Sequence, residues 1–572
     1  MAEKWDSWFH AALARRLSTL SYATPLMAIT DWALHLATSP GKSIDLAWLA
    51  LQHSQTMARY ASERLLAGVS EEVRHAVPVP TDDRRFSDPE WQQWPFNLMH
   101  QSFLLNQQWW TAATHGVWGV EKHHENIVDF MARQMLDLLS PGNQLFTNPV
   151  VLQRTLSQGG ANLVRGFNNL IEDLRREAAG KPPAGTEDFV VGRDVGITPG
   201  KVVLKNRLIE LIQYAPSTGK VHPEPILIVP AWIMKYYILD LSQTNSLIKY
   251  LVDAGHTVFC ISWKNPDYGD RDLGMDDYLK LGFDASLNAV NAIVPNQKVH
   301  AVGYCLGGTM LAIAAAAMAR DGDERLESMT LLGAQTDFKE PGELGLFIDE
   351  SQLSLLEAQM NQTGFLTAKQ MAGAFQMLRS YDLLWSRMVN EYLLGERTPV
   401  FDLMAWNADA TRMPAKMHSQ YLRRLFLHND LSECRYPVNG QPVRLADLSV
   451  PVFMVGTLTD HVAPWHSVYK LHQQSPAEIT FVLTSGGHNA GVVNPPGNPR
   501  RHYQLLTRPA GGRSIAADEW QATAPHTQGS WWPAWQQWLQ AHSSDETVKP
   551  PSMGSDDYLP QGDAPGTYVL QK

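Results

Sequence analysis

Between Val299 and Ala319 the chain reads VHAVGYCLGGTMLAIAAAAMA. Six residues suited to a buried strand run into a glycine-flanked cysteine, and an alanine-rich helical stretch follows at once. A strand that gives way to a helix within one turn needs residues without side-chain bulk where the two elements cross, and Gly303, Gly307 and Gly308 supply them. Cys305 is then held at a sharp turn, its sulfur exposed at a helix N-terminus, where the peptide dipoles favour thiolate. Such a unit belongs in a mostly parallel sheet with helices on both faces.

The rest of the chain after residue 185 agrees with that demand. VVLKNRLIELIQYA reads as a β ribbon, and PILIVPA, HTVFCISW, ESMTLLGA, VPVFMVGT and ITFVLTS read as further buried strands. TNSLIKYLVDAG is one of the helices between them. From about residue 337 to 446 a long, mostly helical insertion separates ESMTLLGA from VPVFMVGT, the place for a cap over the C-terminal sheet edge where open α/β folds bind ligands. Before residue 180 the pattern is helical instead, with DWALHLATSP, SIDLAWLALQHSQTMARYASERLLAG, HENIVDFMARQMLDLLSPG and NLVRGFNNLIEDLRREAAG spacing apolar residues by three and four. Ser140-Pro141-Gly142 and GKPPAG (180–185) act as stops. The expected domains are therefore a helical 1–184 and an α/β 185–572 carrying the cap. The tail from about Ser543 to Lys572 is rich in Pro, Gly, Asp and Ser, and is expected to lie extended or loose.

Composition excludes several functions. A net charge of −11 with no Lys/Arg block offers no footprint for a nucleic acid. The three cysteines, Cys260, Cys305 and Cys434, are too sparse for a disulfide framework and suit a reducing, cytoplasmic setting. Cys260 lies mid-strand and reads as core, while Cys434 sits in a polar loop. MLAIAAAAMA is about half of the roughly 20 residues a membrane-spanning helix needs, and the N-terminus lacks the apolar run of a secretory signal. The 19 tryptophans are mostly core material, with Trp5, Trp8, Trp32, Trp48, Trp91, Trp94, Trp109 and Trp110 as candidates for an apolar contact surface.

A thiol of pKa near ~8.5 is mostly protonated at neutral pH, so Cys305 needs a base. His488, in the glycine-flanked loop of FVLTSGGHNAGVVNPPG, follows one predicted strand, and Asp460, in VGTLTDHVAPW, follows the strand before it. The order nucleophile, acid, histidine is that of α/β-hydrolases. An oxyanion would be met by the backbone N–H of Leu306 and by one from the loop after PILIVP, with Ile233 the candidate. Trp232 and His461 are weaker candidates for substrate contact, and packing or loop cover would account for them equally well.

These residues resemble class I polyhydroxyalkanoate synthases. VPAWIMKYYILDL, HTVFCISWKNPD, GYCLGGT, FDLMAWNADAT, DHVAPW, SGGHNAGVVNPP, GSWWPAWQQWL and APGTYVLQK are all similar to segments of that family, and DRRFSDPEWQQWPFNLMHQSFLLNQ is similar to its N-terminal domain. Met234 and Gln420 depart from it, standing where Asn and an aromatic ring are common; they bear on substrate range and on dimer or cap contacts. The resemblance implies an α/β-hydrolase fold with a helical N-terminal domain serving dimer, granule or partner contacts. It also implies polymerisation of (R)-3-hydroxyacyl-CoA, of the short-chain class such as 3-hydroxybutyryl-CoA, with release of CoA. No cofactor is expected, since CoA belongs to the substrate. Expected partners are the growing polyester, the surface of its granule and a second copy of the chain. By position, Cys305 is similar to the family's acylated nucleophile, His488 to its base and Asp460 to its acid, which the resemblance also credits with activating the 3-hydroxyl.

The thiol then has a reason. Attack on a thioester leaves another thioester, so the acyl group stays activated for transfer to a hydroxyl, whereas serine would give a less activated ester. Two other readings use the same residues: a cysteine thioesterase or esterase that transfers to water, and a noncatalytic granule-coat protein.

Overall fold

The computed structural model describes residues 21–66, 76–78, 83, 85–371, 373 and 384–572. Its contacts fall into two units: Gly185–Ala372 with Val400–Lys572, and Leu20–Ala184 with Gly373–Pro399.

The first unit is built on an eleven-stranded sheet. In chain order its strands are β1 (Gly200–Lys205), β2 (Ile209–Tyr214), β3 (Ile226–Val229), β4 (Val258–Trp263), β5 (Val299–Tyr304), β6 (Leu326–Leu332), β7 (Val452–Thr457), β8 (Ile479–Thr484), β9 (His502–Arg508), β10 (His526–Gln528) and β11 (Gly562–Asp563). They lie in the order β10-β9-β8-β7-β6-β5-β3-β4-β2-β1-β11. The six central strands, β4 to β8 across the sheet, pair in parallel. Every residue of β3, β4, β5, β7 and β8 is buried, which is why these segments read as unbroken apolar runs. The chain passes from β3 to β4 on one side and then back over β3 to β5, so the strand order reverses between β3 and β5. Ligands of open α/β sheets bind outside the carboxyl ends of strands at such a reversal. Helix Leu306–Asp321 leaves β5 there, buried over almost its full length.

Three strands of this sheet have no counterpart in the sequence reading. β9 is half-exposed, β10 is fully exposed and β11 is two residues long, so none carries an apolar run. The tail is extended as expected but is not loose. Val548 bridges Val221 through paired backbone bonds of 2.9 Å, and the N–H groups of Thr567 and Tyr568 donate to the buried Glu210 at 2.8 Å. Glu210 faces inward from β2, and its carboxylate requires those donors.

The second unit comprises helices Ala23–Ala37, Pro40–Leu66, Phe96–Thr114, Lys122–Leu139, Pro149–Ser157 and Ala161–Ala178. Leu139 ends its helix just before Ser140-Pro141-Gly142, and Asn148 caps the next by accepting from the N–H groups of Val150 and Val151. Part of the stretch read as a cap joins this unit. Gly166 lies so close to the carbonyl of Tyr392 that a Cβ would sit 1.8 Å from its oxygen, and Asp173 receives bonds from Arg387, Tyr392 and Arg397 at 2.9, 2.8 and 3.0 Å. Of the tryptophans considered for a surface, Trp91 is core, packed edge-on to Phe86. Trp32 and Trp109 are half-buried and bond Ala113 and Leu46 across helices, and Trp110 is half-buried beside Trp109. Trp48 and Trp94 are 60% and 72% exposed, and Trp118, which the sequence did not single out, is 86% exposed. Trp5 and Trp8 lie outside the described residues. Among the described residues no helix is long and apolar enough to cross a membrane.

Candidate active site

Cys305 connects β5 to helix Leu306–Asp321 with φ 52° and ψ −123°, a conformation that L residues rarely adopt and that costs on the order of 1–3 kcal/mol. The strain sits on the cysteine itself, and the glycines serve close approach. A Cβ on Gly307 would lie 2.2 Å from the Val229 carbonyl oxygen, and one on Gly303 would lie 2.4 Å from the Cα of Gly308. The surrounding packing therefore over-determines the turn. Cys305 is half-buried, whereas Cys260 is buried and Cys434 exposed, and all three are free thiols.

The carboxylate and imidazole come from neighbouring strand ends. The loops after β7 and β8 are tied together by Leu458 N–H to the Thr484 carbonyl at 2.9 Å and Thr459 N–H to the Gly486 carbonyl at 3.1 Å. Gly486, at φ +108°, turns the chain so that His488 starts a short helix. The Nδ1 of His488 lies 2.8 Å from Asp460 Oδ2. Asp460 Oδ2 also accepts from the Thr457 hydroxyl at 2.8 Å, and its Oδ1 accepts from the N–H groups of Val462 and Ala463, each at 2.8 Å. Burial would raise the Asp460 pKa, but His488 and these N–H donors hold it below the usual carboxylate range. An ionised Asp460 accepts a hydrogen bond from Nδ1–H, which keeps the proton on that nitrogen and leaves Nε2 as the basic one.

Nε2 is buried and has no hydrogen bond of good geometry, and Cys305 is the neighbour it senses. Burial pushes the imidazole toward its neutral form; the charge of Asp460, then that of the Cys305 sulfur, overrides it and raises the pKa well above the ordinary value. A proton taken from the thiol is therefore held firmly on the ring. Tyr304 lies against the imidazole with ring centroids 5.6 Å apart, and a Cβ on Gly333 would lie 3.2 Å from His488 Cε1. From the insertion between β6 and β7, Tyr421 is close enough to Cys305 that sulfur charge adds to burial in raising its phenol pKa.

Of the two expected oxyanion donors, Leu306 directly follows Cys305 and Ile233 lies in the loop after β3. The Cys305 carbonyl accepts from Gly308 and Thr309 N–H at 2.9 and 3.1 Å, and Leu306 N–H belongs to the first helical turn, where donors have no intrahelical acceptor. Ile233 sits in the loop after β3. The Thr411 hydroxyl donates to the Trp232 carbonyl at 2.7 Å, so the N–H across that trans peptide, that of Ile233, points the opposite way. Trp232 itself packs within 4.7 Å of Tyr278 and 5.4 Å of Trp263 and donates to Met417 Sδ, which makes its ring packing rather than a substrate contact. His461 is exposed beside Asp460. Met234 bridges Ala410, and Gln420 Oε1 accepts from Met275 N–H at 2.9 Å. Sequence reasoning missed Tyr304, Thr457 and Tyr421, although Thr457, three residues before Asp460, had a local signal.

The strand order, the strained elbow and the loops that carry Asp460 and His488 define a protein of the α/β-hydrolase fold. Residues 224–495 match the family model described as alpha/beta hydrolase fold, residues 82–251 that of the poly-beta-hydroxybutyrate polymerase (PhaC) N-terminus, and residues 1–42 that of the poly-beta-hydroxybutyrate polymerase N terminal. The poly(3-hydroxyalkanoate) polymerase of Methylorubrum extorquens is 40% identical over 94% of this chain and 87% of its own. The corresponding PhaC subunits of Rhizobium etli and Cupriavidus necator are 39% and 36% identical, over 88% and 86% of this chain and 79% and 84% of theirs. The chain belongs to the poly(3-hydroxyalkanoate) polymerase family and is an acyltransferase that polymerises hydroxyalkanoate units. Among solved structures, a monoacylglycerol lipase of Paleococcus ferrophilus aligns with 59% of this chain and 99% of its own at 13% identity and a TM-score of 0.34.

Proposed function

We propose that the enzyme polymerises (R)-3-hydroxyacyl-CoA of the short-chain class through a covalent thioester on Cys305, releasing CoA. The observation that carries this reading is the imidazole fixed at Nδ1 by Asp460, with its free Nε2 sensing a sulfur on a strained elbow. His488 Nε2 takes the Cys305 proton as the sulfur adds to the substrate carbonyl. The resulting oxyanion is met by the N–H groups of Leu306 and Ile233. Collapse breaks the bond to CoA sulfur, the imidazolium returns its proton to that sulfur, and Cys305 is left acylated. In the second half His488 removes the proton of a 3-hydroxyl, whose oxygen attacks the acyl carbonyl; an ester forms and Cys305 leaves as thiol.

The geometry favours His488 over Asp460 as the base for that hydroxyl. Both oxygens of Asp460 are already engaged and its side chain has no exposure, so its part is to orient the imidazole and stabilise its charge. The polyester collects as a granule on whose surface the enzyme sits, for which the exposed Trp48, Trp94 and Trp118 offer apolar area.

The test is to give the purified chain 3-hydroxybutyryl-CoA and, separately, homologues of about six to eight carbons, following free CoA and turbidity together. CoA release with rising turbidity, fastest for the four-carbon substrate, is the expected result. CoA release that yields free hydroxy acid and a clear solution would make the protein a thioesterase and overturn the proposal.

A further inference from the structure

Two residues that join the nucleophile to the base through their side chains have no part in the steps above. Tyr304 ends β5 and precedes Cys305; Asn489 follows His488. The Tyr304 hydroxyl donates to Asn489 Oδ1 at 2.6 Å, while the Tyr304 ring lies against the imidazole at an interplanar angle of 32°. Tyr304 is buried, and on the other side of the amide Asn489 Nδ2 approaches Asn407 Oδ1 at 3.5 Å, at the end of the cap helix Asp402–Asn407. The imidazole is otherwise anchored by one bond, that from Nδ1 to Asp460, and a single bond leaves the ring free to tilt about it. The short helix His488–Val492 has no side-chain cap to fix its first turn.

We propose that Tyr304 and Asn489 are a positioning pair that aims His488 Nε2 at Cys305. The hydrogen bond ties the backbone next to the base to the last residue of the strand that carries the nucleophile, and the phenol face limits the tilt of the ring. Neither side chain touches the reacting atoms; both act through His488. The proposal rests on the reading of Cys305 and His488 as nucleophile and base. Misplacing a base by a fraction of an ångström to an ångström costs about 10- to 100-fold in rate, so the effect belongs in kcat.

The test uses the full chain with Tyr304→Phe, Asn489→Leu and the double variant. Steady-state CoA release from 3-hydroxybutyryl-CoA is measured alongside the pH dependence of Cys305 alkylation by iodoacetamide, which reports the thiol–imidazole pair without turnover. The expected result is a kcat lowered about 10-fold or more in each single variant, KM within about twofold, an alkylation profile moved toward that of an unassisted thiol, and a double variant no worse than the slower single. If the bond served only to satisfy a buried phenol and a half-buried amide, replacing both partners by apolar ones would restore the wild-type rate and profile; that outcome, or single variants with unchanged kcat and alkylation profile, would overturn the proposal. Asn489→Leu keeps the Tyr304 ring and carries the test should Tyr304→Phe fold poorly. Cys305→Ala is run in parallel: turnover surviving in that variant would mean that the nucleophile reading has failed, whatever the pair does.

Discussion

Asp460 has four donors on two oxygens, and His488 is the one whose bond decides chemistry. Asp460→Asn keeps the shape but removes the charge, and the amide can present an N–H to Nδ1, which moves the ring proton to Nε2 and points a donor at the sulfur. The expected loss is about 10³-fold or more in kcat with melting temperature changed little, checked by CoA release and thermal melting. Thr457→Val removes one of the other donors without changing the imidazole bond, and a loss of about threefold to tenfold is expected in the same assay, equivalent to roughly 1 kcal/mol. Cys305, Asp460 and His488 stood out in the sequence because each follows a strand, a relation that local pattern shows. Tyr304 and Tyr421 did not, because their nearness to His488 and Cys305 is made by chain folding over long separations. Trp232 shows the converse. Its place in the loop after β3, expected to supply an oxyanion donor, suggested substrate, yet the rings of Tyr278 and Trp263 enclose it.

At the scale of elements the elbow is held by contact between helix Leu306–Asp321 and the end of β3. Gly307→Ala would place a methyl 2.2 Å from the Val229 carbonyl oxygen and 2.5 Å from that of Pro230, and backbone on both sides cannot yield as a side chain would. Thermal melting of this variant should fall by an amount equivalent to about 2–3 kcal/mol. Gly562→Ala, where nothing lies within 4 Å, should melt close to the parent. The central strands were legible because both faces are buried, which makes their sequences continuous in Val, Ile, Leu and Phe. β9 to β11 were not, since a strand with an exposed face or two residues of length has no pattern to read. The tail shows the same limit: its composition is that of a loose segment, and its order comes from satisfying Glu210 and pairing with Lys201 and Val202, partners more than 300 positions away.

At the scale of the whole molecule, the α/β unit buries several neutral imidazoles away from the site. Burial pushes His300 and His418 down to about 4, and burial with the neighbouring His222 pushes His256 to about 3. Each binds a proton more weakly folded than unfolded, where the pKa is near ~6.5. The unfolded chain therefore takes up more protons as pH falls, and the stabilisation, complete above about pH 6.5, is lost progressively toward pH 4. Urea unfolding midpoints should decline between pH 7.5 and 5.5, by about 1 kcal/mol for each such ring at the lower pH, and His300→Gln should flatten the slope. The division of the chain at Gly185 follows a stop that its sequence carries, GKPPAG, whereas the joining of Gly373–Pro399 to the helical unit depends on Gly166 and Asp173, far away in sequence. The reaction itself is tested most directly by acid-quenching the enzyme during turnover of 3-hydroxybutyryl-CoA and mapping the adduct by peptide mass spectrometry. A hydroxybutyryl or oligomeric mass increment on the peptide containing Cys305, absent from Cys305→Ala, is the expected result; the increment on any other residue, or no adduct while CoA is being released, would contradict it.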